Sequence, residues 1–173
     1  MKPRLVGLLI LTLLSGFLLY YLRDLWTLNP FERDEPFNNI YQIAADPNGA
    51  VYAITDSKRI ARKIDASGNL VYALASDENR NSDNVRLFEA IAADRDGNAY
   101  VLKTILDNNG LYVFGEEIIR ISADGSNTRL LYRAEYTQAD NLRRVGRLQG
   151  LAVDGDNLYF FQKDETKATL FML

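Results

Sequence analysis

From Tyr41 onward the hydrophobic positions come in short runs of four to six residues, rich in β-branched and aromatic side chains and punctuated by polar turns. That is the spacing of strands rather than of amphipathic helices. "YQIAAD" and "AVYAIT" flank Pro47-Asn48-Gly49, where Asn-Gly supplies the positive φ angles a tight hairpin turn requires. "RIARKID", Arg59 to Asp65, the turn "ASGN" and the run "LVYAL" from Leu70 complete four strands joined by hairpins. The order then recurs as "EAIAAD", the turn Arg95-Asp96-Gly97, "NAYVLK", "EIIRIS", the turn Ala123-Asp124-Gly125 and "TRLLY". The pattern predicts strand hairpins over 41–56, 59–74, 89–103 and 117–132.

A third copy begins at "LAVDGDNLYFFQK", Leu151 to Lys163, so that Asp46, Asp94 and Asp154 fall 48 and then 60 residues apart, each before a turn. A carboxylate at that place accepts backbone N–H bonds and fixes the turn. Four antiparallel strands per repeat at this period predict an all-β chain of β-propeller blades; a single β-sandwich with similar hairpins is the alternative. "YQIAAD", "EAIAAD" and "GLAVD" are the expected inner strands, because Ala44, Ala45, Ala92, Ala93 and Ala152 suit the crowded centre of a radial array. The third copy ends after a third strand, "ATLFML", giving about two and three-quarter blades. A ring of at least four is the rule, so the pattern predicts the N-terminal part of a longer protein, with ring completion by oligomerisation as the alternative.

The stretch "IAADPNGAVYAITDSKRIARKIDASGNL" resembles an NHL repeat, a group related to the six-bladed propellers of gluconolactonases and strictosidine synthase-like proteins. The resemblance spans roughly residues 40–172, strongest in the first blade. In the second, Lys103 and an insertion replace the positions of Asp56, Arg59 and Ile60. It implies a propeller whose channel mouth binds ligands, and in the hydrolytic members Ca²⁺.

Ahead of the repeats, "LVGLLILTLLSGFLLYYL" from Leu5 to Leu22 is 18 residues without a charge. At 1.5 Å per residue it crosses most of a ~30 Å hydrocarbon layer. Tyr20, Tyr21 and Trp26 stand where an interfacial aromatic belt would lie. The run predicts an uncleaved signal-anchor helix: residues 1–4 cytoplasmic, 5–22 transmembrane, 23–39 a linker, and the propeller extracytoplasmic, periplasmic or extracellular. A cleaved secretory signal is the alternative, but such signals have shorter apolar regions and an Ala-x-Ala site, and no such site follows here.

The chain contains neither cysteine nor histidine. Disulfides, Ser-His-Asp and Cys-His catalysis and the usual zinc sites therefore drop out. A net charge of −3 with scattered Lys and Arg gives no footprint for nucleic acid, and no Gly-x-x-x-x-Gly-Lys loop is present.

In a four-strand meander the first-to-second and third-to-fourth turns share one face, and all are short here. The other face receives residues 75–88, 133–147 and the insertion 104–116, and long loops on a rigid scaffold are where binding residues concentrate. The candidates that enter from this face are Asn38, Asn39, Tyr41, Glu89, Arg147 and Gln149, joined by Tyr112 and Phe114 on the insertion as apolar anchors. Asn39, Glu89 and Gln149 form an oxygen set of the kind Ca²⁺ accepts; a polar channel mouth without metal is the simpler reading, and no cofactor is expected.

Two functions follow from different classes. One is a membrane-anchored extracytoplasmic propeller that binds a protein or small-molecule ligand on the long-loop face, as a sensing or scaffold domain without catalysis. The other, from the resemblance, is a calcium-dependent lactonase or esterase-type hydrolase; a metal-activated water needs no histidine.

Overall fold

The computed structural model describes residues 39–76, 84–142, 147–163 and 167–173. The expected span 5–22, most of the linker after it, and Asn38 lie outside these residues. Among the described residues no helix is long and apolar enough to cross a membrane.

Among the described residues, eleven strands form three sheets of sequential antiparallel neighbours. The first contains β1 (Gln42–Ala45), β2 (Val51–Thr55), β3 (Ile60–Ile64) and β4 (Leu70–Ala75). The second contains β5 (Asn84–Ala93), β6 (Ala99–Asp107), β7 (Val113–Ile121) and β8 (Thr128–Glu135). The third contains β9 (Arg147–Asp154), β10 (Asn157–Lys163) and β11 (Ala168–Met172). Each is the meander of a propeller blade rather than half of a sandwich. Neighbouring sheets meet through their first strands, β1 against β5 and β5 against β9, with β2 and β6 adding to the same seams. The three alanine-bearing segments are therefore the inner strands the pattern predicted.

The second sheet is covered on both sides, and the two-residue period of a strand divides its side chains between two cores. Ile91, Val101, Ile119 and Ile121 pack with Tyr52, Ile54 and Ala61 of the first sheet and with Phe88. Ala90, Leu102 and Ile118 pack with Leu148, Leu158 and Phe160 of the third. Phe160 lies between Tyr132 and Phe171, with ring centroids 5.1 and 5.2 Å away. Burial on both faces explains why β6 and β7 carry adjacent buried apolar pairs, Val101 with Leu102 and Ile118 with Ile119, instead of strict alternation.

The turn aspartates act as their position predicts in the first two sheets. Asp46 accepts the amides of Asn48 and Ala50 and lies 2.9 Å from the Tyr52 hydroxyl. Asp94 accepts the amides of Asp96 and Asn98, the Asn98 side chain and the Tyr100 hydroxyl. In the third sheet the hairpin is tighter: Asp154 pairs directly with Asn157 across a two-residue turn, and Asp154 is exposed.

The insertion at 104–116 is not a loop. Thr104 pairs with Glu116, Ile105 with Gly115 and Leu106 with Val113, so β6 and β7 continue outward to a tip at residues 108–112. Likewise Asn84 to Phe88, read from sequence as the end of a loop, pair with Asp107 to Lys103. Residues 133–147 contain the rest of β8 and a short helix, α1 (Gln138–Leu142). Thr137 caps it reciprocally: its hydroxyl accepts the Asp140 amide, and the Asp140 carboxylate accepts the Thr137 amide.

Candidate functional site

The outward extension of β5, β6 and β7 beyond the shorter third sheet leaves a cleft of about 420 Å³ on the face predicted to carry the long connections. The end of β6 gives it Leu102, Thr104 and Leu106, the start of β7 gives Val113 and Glu116, the start of β9 gives Arg147 to Gly150, and β5 gives Glu89. Its volume falls within the range of small-molecule sites.

Glu89 reaches the cleft through an irregularity. Phe88 pairs with Lys103 and Ala90 with Leu102, leaving Glu89 unpaired as a β-bulge, a device that redirects a side chain. Its carboxylate takes an ion pair at 2.6 Å from Lys58 of the first sheet. Lys58 ends an unusual run in which Asp56, Ser57 and Lys58 all have left-handed φ angles of 52, 56 and 68°. Each such angle costs a non-glycine residue about 1–2 kcal/mol. The run is held by Arg59 N–H bonds to the Thr55 and Asp56 carbonyls, by the Phe88 amide donating to the Lys58 carbonyl at 2.7 Å, and by Arg62 on the Asp56 carboxylate at 3.0 Å. This turn carries the Lys58 ammonium to Glu89 and also leaves it 6.0 Å from the ring centroid of Tyr41.

Opposite Glu89, the Arg147 guanidinium lies over the Tyr136 ring at 4.5 Å, and Nη2 donates to Asn141 Oδ1. Asn141 is itself fixed by donating to the Val113 carbonyl and accepting the Val113 amide, both at 2.9 Å. The capped helix α1 therefore sets where Arg147 stands. Arg147 Nη1 is buried without a partner. Glu116, 3% exposed, accepts the Tyr136 hydroxyl at 2.6 Å and the Leu148 amide at 2.9 Å on one oxygen, stitching the second sheet to the third. Burial raises its pKa above the ordinary carboxyl value, against the opposing pull of these two bonds and of Arg147. Tyr136 is shifted upward as well, by burial and then by its bond to Glu116.

Of the residues singled out from sequence, Glu89, Arg147 and Gln149 line this cleft together. Tyr41 is exposed and joins them only through Lys58. Asn39, with φ 50°, does not line it. Neither do Tyr112 and Phe114: the strand period that turns Val113 inward turns them away, and Phe114 is exposed. Of the oxygen set Asn39, Glu89 and Gln149, the cleft brings together Glu89 and Gln149 but not Asn39, and the Glu89 carboxylate is ion-paired with Lys58. No group of three carboxylate side chains placed to hold a metal ion occurs among the described residues. Lys58 and Glu116 escaped the sequence reading, since one depends on a left-handed turn and the other looked like part of a loop.

No protein-family model and no curated protein sequence matches the chain. Among solved structures it is similar to a luciferin-regenerating enzyme, at 16% identity and a TM-score of 0.41 over 73% of this chain and 38% of that one. It is also similar to the WD40 domain of SCAP from fission yeast, at 10% identity and a TM-score of 0.29 over 79% of this chain and 44% of that one. The chain therefore spans less than half the length of either.

Proposed function

We propose that this chain belongs to a membrane-anchored, extracytoplasmic NHL-like β-propeller that binds a ligand at the cleft between its second and third blades. The observation that carries the reading is the convergence of Glu89, Arg147 and Gln149, from separate strands, on one cleft of small-molecule size. Anchoring and export rest on the uncharged run Leu5–Leu22 at the head of the chain. Binding rather than catalysis is favoured because Glu89 is taken up by Lys58 and Glu116 by Tyr136 and Leu148. Neither is poised as a free base.

Two measurements test it. Alkaline phosphatase fused after Asn39 is expected to be active and a cytoplasmic reporter at the same place inactive; the reverse result rejects export. For the cleft, ligand binding by the full chain is expected to weaken when Gln149→Ala narrows its polar rim. Calcium-dependent lactone hydrolysis that disappears in Glu89→Ala would replace this reading with the hydrolase.

A further inference from the structure

Two oppositely charged groups in the cleft have hydrogen-bonding capacity that the protein itself does not use. Arg147 is held on Tyr136 and Asn141, yet its Nη1 is buried with no acceptor. An unsatisfied buried donor is expensive and calls for a partner. On the facing strand, both bonds to Glu116 fall on Oε2, from Tyr136 and Leu148, so Oε1 keeps its lone pairs. The two charges attract one another, but no ion pair joins them. Packing on Tyr136 and Asn141 fixes the one, and the Leu148 amide fixes the other.

A simple anion would meet Arg147 but also the carboxylates of Glu89 and Glu116. A simple cation would meet Glu116 but also Arg147 and, beyond Glu89, Lys58. A ligand bearing both signs at short separation answers both demands. Resting on the ligand-binding reading above, we infer that the cleft takes a small zwitterion of the α-amino-acid class, its carboxylate on Arg147 Nη1 and its ammonium on Glu116 Oε1. Leu102, Leu106, Val113 and Leu148 offer an apolar wall to an aliphatic side chain. Charge-assisted bonds of this kind are the strong ones, and Arg is the residue best suited to a carboxylate.

The test is calorimetry on the detergent-solubilised full chain with L-leucine, leucinamide, which lacks the carboxylate, and 4-methylpentanoate, which lacks the ammonium. L-Leucine is expected to bind at least tenfold more tightly than either. Arg147→Gln is expected to weaken L-leucine at least tenfold while leaving leucinamide unchanged; Glu116→Gln is expected to weaken L-leucine while leaving 4-methylpentanoate unchanged. If Arg147→Gln fails to fold by circular dichroism, Arg147→Lys, which keeps the charge and loses the planar fork, is expected to give an intermediate loss. Equal binding of all three compounds, or none of L-leucine, overturns the inference. Glucose and gluconolactone serve as neutral probes: binding of either, lost in Gln149→Ala while L-leucine is ignored, keeps the cleft as a ligand site and rejects the amino-acid class alone.

Discussion

The ammonium of Lys63, on the third strand of the first sheet, donates to the carbonyl of Gly97 in a turn of the second sheet at 2.9 Å. The same nitrogen reaches the Ala123 carbonyl at 2.8 Å and lies 5.2 Å from the ring centroid of Tyr52. Lys63 is buried, 7% exposed, with no carboxylate in contact, so its charge is matched by carbonyl dipoles and the ring face. It joins the short-turn ends of both sheets. Lys63→Met is expected to destabilise the protein by about 1–3 kcal/mol, since two carbonyls lose a donor. Urea unfolding followed by circular dichroism measures this, and an unchanged midpoint would show that Tyr52 alone satisfies the seam.

Gly125 and Gly68 occupy equivalent turns and differ in surroundings. Both have left-handed φ, 76° and 87°, but a Cβ on Gly125 would stand 2.7 Å from Tyr72 whereas one on Gly68 would meet nothing within 4 Å. Gly68→Ala is expected to cost only the backbone term, about 1 kcal/mol. Gly125→Ala is expected to cost more than twice that, because Tyr72, packed against the first core, must move. Comparing the two unfolding temperatures decides it, and equal shifts would mean that Tyr72 yields freely.

Ser57 is the middle residue of the left-handed run and is exposed. Ser57→Gly removes strain of about 1–2 kcal/mol and adds unfolded-state entropy of about 0.5–1 kcal/mol. A net gain of about 0.5–1 kcal/mol is expected, read as a higher unfolding temperature. Lys58→Gly relieves the same strain yet gives up the ion pair with Glu89, so it is expected to gain less.

Glu116 and Asp94 are expected to respond to pH in opposite senses. Burial raises the pKa of Glu116 in the folded protein, so its contribution is complete below the ordinary carboxyl pKa and is lost as pH rises through the higher folded value. Glu116→Gln, which can still accept from Tyr136 and Leu148, is expected to gain in stability relative to wild type as pH rises above the ordinary carboxyl range. For Asp94, burial is outweighed by its bonds from Asn98, Tyr100 and Asp96, and its pKa falls. Its contribution is present above the ordinary range and lost as pH drops through the folded value. Asp94→Asn is therefore expected to be destabilising at pH 7 and less so in acid. Parallel pH profiles of the two variants would contradict both assignments.

The strand plan was legible because its signals are local. Asp46 with Asn48-Gly49, and Asp94 with Asp96-Gly97, encode their turns through side-chain-to-amide bonds within four residues. Small residues at Ala44, Ala92 and Ala152 marked the inner strands. The extension of β6 and β7 was not legible, since Thr104, Asp107, Gly115 and Glu116 interrupt the apolar run with loop-like residues. Their pairing is decided across the hairpin, where Thr104 meets Glu116 and Ile105 meets Gly115.

The site divides along the same line. Repeat register alone brought Glu89, Arg147 and Gln149 to one face, because equivalent positions of successive sheets enter from the same side. The bulge that turns Glu89, the left-handed turn that delivers Lys58, and the burial that leaves Arg147 Nη1 without an acceptor depend on contacts between residues far apart in sequence. Hydrophobic period and turn chemistry act over a few residues and are written in the chain; bulges, seams and desolvation arise only when separate sheets pack, so tertiary structure alone decided them.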